Sequence, residues 1–160
     1  KKIKSPALFQ KNTLSRLPPE LKVITPPPRE EANYNCFTYA LHLEGNKAFL
    51  NEAGGFIYSN FFQTLIDKKE LEITNSPKEG DIVLYRNPEQ YGSEITHAGI
   101  LNKGGSITSK WSWGPIVRHS VFDVPYFYGS EISYARAVDK ETATALYKKY
   151  KELNINIHSS

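Results

Sequence analysis

The segment ITHAGILNKGGSITSKW, residues 95–111, contains the pattern that decides the fold. Two runs rich in β-branched and apolar residues, 95–101 and 106–111, flank the glycine-containing segment 102–105. Asn and Gly readily adopt the left-handed backbone that tight hairpin loops need. The pattern therefore predicts two antiparallel strands joined by a hairpin.

The sequence around this hairpin predicts further strands after a helical first half. Short β-branched and aromatic runs, separated by Gly, Pro and Asn, predict strands at 80–86, 116–122 and 131–138. Apolar residues at helical spacing predict three helices. One begins at an Asn33 or Asn35 cap and stops at Gly45, one covers 58–68, and one runs from an Asp139 cap to about residue 153. Helices packed on an antiparallel sheet of about five strands, with a C-terminal helix, define an α+β domain.

The first 31 residues differ in composition from the rest of the chain. They hold six of the ten prolines and show no sustained period, so residues 1–31 are predicted to be a proline-rich arm. Residues 32–160 are predicted to form one domain with a short polar tail. The lack of methionine and the Lys1-Lys2 start predict a processed product or an excised domain. The compartment stays open: cytoplasmic, or exported as part of a larger protein.

Composition excludes several classes of function. The formal net charge of +3 is small and spread along the chain, so no nucleic-acid partner is expected. No apolar run approaches the roughly 20 residues that span a bilayer, and no targeting segment opens the chain, so no membrane partner is expected. One cysteine and four scattered histidines show no metal-ligand spacing, so we expect neither a metal nor a cofactor. Nothing indicates an oligomeric state.

The single cysteine, Cys36, lies in NYNCFTYALH, residues 33–42, within the first turn of a predicted helix. The positive end of a helix dipole and unpaired backbone N–H groups favour a thiolate, so Cys36 is a candidate nucleophile. The alternative is a buried cysteine that acts as a small hydrophobic residue.

A cysteine nucleophile needs a base that takes its proton. His97 is the natural candidate because it lies in a predicted strand and is followed by two small residues that allow close approach. The alternative is a strand histidine hydrogen-bonded to a backbone carbonyl. His119, in a later predicted strand, is the reserve candidate. For the pair to act, a ring nitrogen of His97 must lie about 3 to 4 Å from the sulfur.

An ordered set of short motifs strengthens this interpretation. NYNCFTYALH is followed by EGDIVLYR at 79–86, THAGILNKGGSITSKWSWG at 96–114, RHS at 118–120 and DVPYFYG at 123–129. Together they resemble the papain-like superfamily of NlpC/P60 and CHAP cysteine peptidases and amidases, and in particular an uncharacterised bacterial branch of it. The resemblance implies the NlpC/P60 fold, with Cys36 as nucleophile and His97 as general base. It further implies hydrolysis of an amide or isopeptide bond through an acyl-enzyme, in peptidoglycan or in a protein target.

The third catalytic position is less well matched by the family pattern. The resemblance places it on Ser109, with His119 as an alternative that orients His97. A serine stabilises an imidazolium less than a carboxylate does, and Lys110 would oppose that charge if it pointed inward. The tetrahedral oxyanion would be held by the Cys36 backbone N–H and one further donor, from Asn33, Tyr34 or Asn35.

Two other functions remain open on the same sequence. The domain could be a non-catalytic module that holds a peptide or glycan, with Cys36 buried and inert. It could also be an effector or toxin domain excised from a larger protein.

Overall fold

A computed structural model describes residues 21–24, 34–111 and 114–156. The strands over those residues are β1 (Lys22–Val23), β2 (Ile73–Thr74), β3 (Ile82–Arg86), β4 (Ile95–Leu101), β5 (Ile107–Lys110), β6 (Ile116–His119) and β7 (Glu131–Ala135). The α-helices are α1 (Cys36–Ala40), α2 (Lys47–Ala53), α3 (Ser59–Asp67), α4 (Pro88–Tyr91) and α5 (Lys140–Tyr150). Two 3₁₀ turns occupy Tyr126–Tyr128 and Lys151–Leu153.

The described strands form one antiparallel sheet in the order β1-β6-β5-β4-β3-β7-β2. The predicted hairpin is its centre: Leu101 pairs with Ile107, and the Asn102 N–H closes the loop on the Ser106 carbonyl at 2.8 Å. The α+β class and the hairpin are therefore confirmed. The sheet is wider than the five strands expected, because β1 and β2 add an edge strand on each side. Each has only two residues, which is too few to give a recognisable pattern in the sequence.

Gly99 explains why small residues follow His97. A Cβ at this position would lie 2.7 Å from Ile107 Cγ2 and 3.0 Å from Ser109 Cβ, which is too close for any side chain. The glycine lets β5 pass tightly over β4, and this close approach fixes where Ser109 lies.

Both faces of the sheet are covered. Along β3, Ile82 and Leu84 face a core that includes residues of α1, α3 and α5, whereas Val83 and Tyr85 face a second core with Trp111 and Tyr128. Side chains of a strand alternate between faces, so a strand buried on both sides reads as a continuous apolar run.

The helices agree with the sequence in two of three cases. α3 buries its predicted apolar stripe, and α5 begins at Asp139, whose carboxylate accepts the Thr142 N–H at 2.7 Å. The first helix was expected to reach Gly45, and that is wrong. α1 ends at Ala40, and His42 takes a left-handed φ of 58° as the chain turns away. The unpredicted α2 begins at a capping Asn46.

The termini are described only in part. Residues 22–23 of the predicted arm form β1, which pairs with β6. The rest of 1–31 and the tail beyond residue 156 lie outside the described residues. Within the described ranges no helix is long and apolar enough to cross a bilayer.

Asp81, the acidic residue of the GD segment, ties the start of β3 to the end of β7. Its buried carboxylate accepts hydrogen bonds from the Lys78 N–H at 2.9 Å, the Ala137 N–H at 3.1 Å and the Arg136 guanidinium at 2.8 Å. Burial by itself would raise the pKa of Asp81, but these hydrogen bonds outweigh burial and hold the pKa below its ordinary value. Asp81 is therefore a structural anchor for the sheet.

Replacing Asp81 with Asn should destabilise the fold. We expect a loss of about 3 kcal/mol in the free energy of unfolding near neutral pH, at the low end for a buried ion pair because Arg136 is one-third exposed. A carboxyl group whose pKa is lower in the folded protein stabilises the fold at pH values above its pKa in the unfolded chain. This stabilisation is lost as the pH falls through the pKa of the folded protein. The deficit of the variant should therefore shrink below about pH 4.

Urea unfolding followed by circular dichroism, at neutral and acidic pH, measures both effects. Asp67→Asn is the control, because the Asp67 side chain is exposed and contacts only Gln63 among the hydrogen bonds described for it. Equal unfolding free energies for Asp81→Asn and the parent protein at neutral pH would contradict the anchoring role.

Candidate active site

Asn35 sets the position of Cys36 at the start of α1. The Asn35 side-chain oxygen accepts hydrogen bonds from the Thr38 N–H and the Thr38 hydroxyl, both at 3.0 Å. Its amide nitrogen donates to the Ile57 carbonyl at 2.7 Å. Asn35, one of the two predicted caps, is therefore the N-cap of α1. Asn33, the other predicted cap, lies outside the described residues. The cap places Cys36 in the first turn, as expected.

Cys36 is buried rather than exposed at a helix tip. Burial raises the pKa of the thiol to about 12, against opposing effects from the Ala98 N–H, the Lys110 charge and the amides of Phe37 and Cys36. The expectation of a lowered pKa is therefore wrong for this structure. A five-residue helix supplies too little positive potential to offset desolvation of the sulfur. The thiol stays protonated at neutral pH.

β4 is open on one side where it passes Cys36. The Leu101 N–H donates to the Asp81 carbonyl on the β3 side, at 2.9 Å. Because amide directions alternate along an antiparallel strand, the Ala98 N–H points the other way, toward β5. However, β5 pairs with β4 only at Ile100 and Leu101. The Ala98 N–H instead lies beside the Cys36 sulfur, where it lowers the pKa of the thiol.

His97 leaves β4 on the face opposite α1. In the register with β3 it lies beside Tyr85, and its ring stacks on Tyr128 with centroids 4.0 Å apart and planes 4° from parallel. Ala98, the next residue, faces the core that contains Cys36. The ring nitrogens of His97 are both buried and make no hydrogen bond, so neither bonds to the sulfur. The structure brings the two residues to the same strand edge without joining their side chains.

The environment of His97 keeps it uncharged. Burial, with a smaller effect of the nearby His119, holds the pKa of His97 well below its ordinary value. A neutral imidazole can accept a proton, which is the state a general base needs.

Ser109 does not orient His97. Its hydroxyl lies 2.8 Å from His119 Nε2 and accepts the Trp111 Nε1–H at 2.9 Å. His119 Nδ1 lies 2.8 Å from the Ser120 carbonyl and must be its protonated nitrogen, so Ser109 donates to Nε2. The hydrogen bond that was predicted from the imidazole of His97 to Ser109 is absent. His119, the alternative, makes no hydrogen bond to His97 either, because both its ring nitrogens bond elsewhere.

Lys110 lies on the Cys36 side of the sheet. Successive residues of β5 alternate, so Lys110 points away from Ser109 and toward α1. Its side chain is almost wholly buried, and its Nζ lies 5.3 Å from the centre of the Tyr34 ring. Burial lowers the pKa of Lys110 to about 7, and the Cys36 sulfur opposes that effect. Lys110 therefore lies on the face opposite His97, and its charge affects the Cys36 thiol.

A cavity of about 380 Å³ adjoins these groups. Its walls include Asn35 and Phe37, which flank Cys36, and Thr96, which precedes His97. Tyr128 and the aromatic ring of Phe127 complete this side, and most of the lining is apolar. The cavity is concave and mostly apolar, as small-molecule and peptide sites commonly are.

The sequence signalled some of these groups and missed others. The Asn35 side-chain oxygen caps the helix and one amide N–H donates to the Ile57 carbonyl, so its second N–H stays a candidate oxyanion donor. Lys110 was not predicted to lie on the Cys36 side of the sheet, and Tyr128 was not predicted to stack on His97. The Y-G pair in DVPYFYG was the available signal for Tyr128, because Gly129 has a φ of 88° and packs against the backbone of Asn87, a contact that fixes the preceding tyrosine.

Comparisons with known proteins identify a family. A protein-family model described as a domain of unknown function (DUF7689) matches residues 27–136, which include every candidate site residue. No curated protein and no solved structure matches the chain. Across the part of the chain that the structure describes, no group of three or more His, Cys, Asp and Glu residues is placed to hold a metal ion.

Lys110 should control the ionisation of Cys36. Lys110→Met removes the positive charge that lowers the thiol pKa, so alkylation of Cys36 by iodoacetamide should be slower than in the parent protein below about pH 7, where Lys110 is charged. Lys110→Arg keeps the charge and should react at least as fast as the parent protein. Cys36 is the only cysteine, so intact mass reports its alkylation alone.

Lys149→Met is the matched control, because it removes a charge from an exposed lysine paired with Glu70. Its alkylation rate should equal that of the parent protein. Superimposable pH profiles for Lys110→Met and the parent protein would rule out an electrostatic effect of Lys110 on Cys36.

Proposed function

We propose that this chain, which belongs to the DUF7689 family, is a cysteine hydrolase of the papain-like NlpC/P60 type that cleaves an amide or isopeptide bond. The observation that carries the proposal is the position of Cys36 in the first turn of α1, beside the N–H of Ala98, the strand residue that follows His97. An apolar cavity is lined by Asn35 and Phe37, the residues before and after Cys36 in the sequence.

The resting protonation states suit attack by a thiol assisted by a general base. Burial keeps the Cys36 thiol protonated and the His97 imidazole neutral. In the proposed reaction His97 takes the thiol proton as the sulfur attacks the carbonyl carbon, and later gives it to the leaving amine. Water then releases the acyl group from the sulfur.

The reacting state requires a ring nitrogen of His97 within hydrogen-bond distance of the sulfur. In the proposed reaction this meeting takes place beside Ala98, where no described residue of β5 pairs with β4. Both ring nitrogens lack partners, so turning the ring toward Cys36 breaks no hydrogen bond of the imidazole.

The cavity indicates how a substrate would be placed. Its aromatic and aliphatic walls favour binding of an apolar side chain. Its lining includes Asn35 and Phe37, the residues before and after Cys36 in the sequence. We propose a peptide or an isopeptide as the substrate, in a peptidoglycan stem or in a protein target.

A non-catalytic binding module is the second candidate function. It is favoured by a thiol whose pKa is raised to about 12 and by the missing hydrogen bond between Cys36 and His97. On that reading the cavity holds a peptide or glycan segment and the sulfur only satisfies the Ala98 amide.

Acylation by p-nitrophenyl acetate, a small activated ester, separates the two candidates. The parent protein should release p-nitrophenolate and gain one acetyl group on Cys36, and Cys36→Ala should not. His97→Asn should slow acylation by about a hundredfold or more, because it removes the general base.

His42→Asn is the matched control for the histidine change. His42 is exposed and has a left-handed φ of 58°, which Asn tolerates. Its acylation rate should equal that of the parent protein. Failure of the parent protein to acquire an acetyl group would favour the binding module.

The pH dependence of acylation should reflect the buried state of His97. The reaction needs neutral imidazole and is lost as pH falls through the His97 pKa, which lies well below the ordinary value. The acidic limb of the rate should therefore lie below about pH 6.5. Rates measured between about pH 5 and about pH 8 test this, and a midpoint at or above the ordinary histidine value would contradict it.

A further inference from the structure

The cavity beside the start of α1 has walls made largely of aromatic rings. The aromatic residues of its lining are Phe37, Phe56, Tyr58, Tyr91, Phe127 and Tyr128. The face of an aromatic ring is electrically negative and its edge is positive. Ring faces therefore attract a cation in addition to packing against apolar groups.

Two pairs of these rings meet at nearly right angles. The Phe56 and Tyr58 rings have centroids 6.4 Å apart and planes 86° apart. The Phe127 and Tyr128 rings have centroids 5.0 Å apart and planes 75° apart. Rings at right angles bound a space in more than one direction, as the rings of an aromatic cage do around an alkylated ammonium ion. Parallel stacked rings would bound it in one direction only.

The backbone holds both pairs of rings in place. The Asn154 side chain accepts the Tyr58 N–H at 2.8 Å and donates to the Phe56 carbonyl at 3.0 Å, so it clamps the first pair. Both residues of the second pair belong to the 3₁₀ turn Tyr126–Tyr128. The aromatic walls are therefore formed before a ligand binds, which lowers the entropy cost of binding.

Glu94 gives the cavity a negative charge. Among the described residues that line the cavity, Glu94 is the one with a formal charge. Its side chain is half-buried and accepts the Ser59 hydroxyl at 2.9 Å, which holds the carboxylate at the start of α3. A neutral ligand would remove water from this carboxylate without replacing it, and an anion would be repelled. A cation would instead gain Coulomb energy.

We propose that the cavity binds an organic ammonium ion, which is a positively charged amine on an apolar body. The apolar body packs on the aromatic and aliphatic walls, and the positive charge lies against ring faces on the side of Glu94. Binding of this ion does not require a reaction at Cys36. As a description of the substrate of the hydrolase, the inference rests on the proposed function.

Choline and its uncharged carbon isostere, in which carbon replaces the quaternary nitrogen, test the role of charge. The two molecules have the same shape, so the ring faces and Glu94 should make the Kd of choline about tenfold lower. Titration followed by proton–nitrogen correlation NMR measures both constants. The amide signals that shift should include those of Ile57, Ile95 and Phe127, which line the cavity. Added salt should reduce the preference for choline, because salt screens the Glu94 charge.

Glu94→Gln removes the charge and keeps an oxygen that accepts the Ser59 hydroxyl. Choline binding should weaken about fivefold, and binding of the isostere should not change. Glu89→Gln is the matched control, because Glu89 is exposed and lies outside the cavity lining. It should change neither affinity.

Phe56→Leu replaces one wall of the first pair with an aliphatic side chain. Choline binding should weaken about threefold more than binding of the isostere. Tyr91→Leu makes the same test at a ring that is 42% exposed, where a change of side chain disturbs the fold least. Phe122→Leu is the matched control for both variants, because Phe122 is 64% exposed and lies outside the lining.

Free amines and the lysine side chains of peptides share this chemistry. Nα-acetyl-lysine methylamide and Nα-acetyl-norleucine methylamide differ chiefly in the ammonium group and separate the two sources. Tighter binding of the lysine derivative would identify a peptide side chain as the ligand. A preference for choline without a preference for the lysine derivative would identify a free amine.

Two results would overturn this site. One is a parent protein that does not prefer either cation to its neutral counterpart, and the other is a preference for choline that Glu94→Gln leaves unchanged. Neither result bears on the hydrolase, which acylation by p-nitrophenyl acetate tests separately. A parent protein that prefers choline but is never acylated would support this site and overturn the hydrolase.

Discussion

The open edge of β4 is the constraint on which the site depends. A backbone N–H buried without a partner is costly, and β5 leaves the Ala98 N–H unpaired by parting from β4 after Ile100. The Cys36 sulfur lies beside that N–H, so the start of α1 docks at this edge of the sheet. The Asn35 cap and its bond to the Ile57 carbonyl hold the helix in that place. The position of the candidate nucleophile therefore follows from the geometry of the sheet.

Burial shifts the protonation states of the groups in this site. The sulfur, the imidazole of His97 and the phenol of Tyr128 are all shifted toward their neutral forms, and Lys110 loses its proton more easily than an exposed lysine. Neutral groups avoid the cost of desolvated charge, and among the described residues of this site the His97 ring nitrogens and the Tyr128 hydroxyl lack hydrogen-bond partners.

Much of the fold was predictable because its signals are local. The hairpin at 102–105, the apolar stripe of α3 and the Asp139 cap of α5 depend on neighbours in the sequence and were predicted correctly. β1 and β2 were missed because two residues carry no periodicity and their pairing depends on distant strands. The early end of α1 was missed because the turn at His42 follows from packing rather than from a helix-stopping residue.

The sequence by itself determined that Cys36 opens a helix and that His97 lies on a central strand followed by small residues. Only the tertiary structure decided which way the side chains point. The register of β4 sends His97 to the face of Tyr128, and the register of β5 sends Ser109 to His119 and Lys110 toward the sulfur. Successive side chains of a strand point to opposite faces of the sheet. Strand pairing and burial decide which face each side chain occupies, and the sequence alone does not show either.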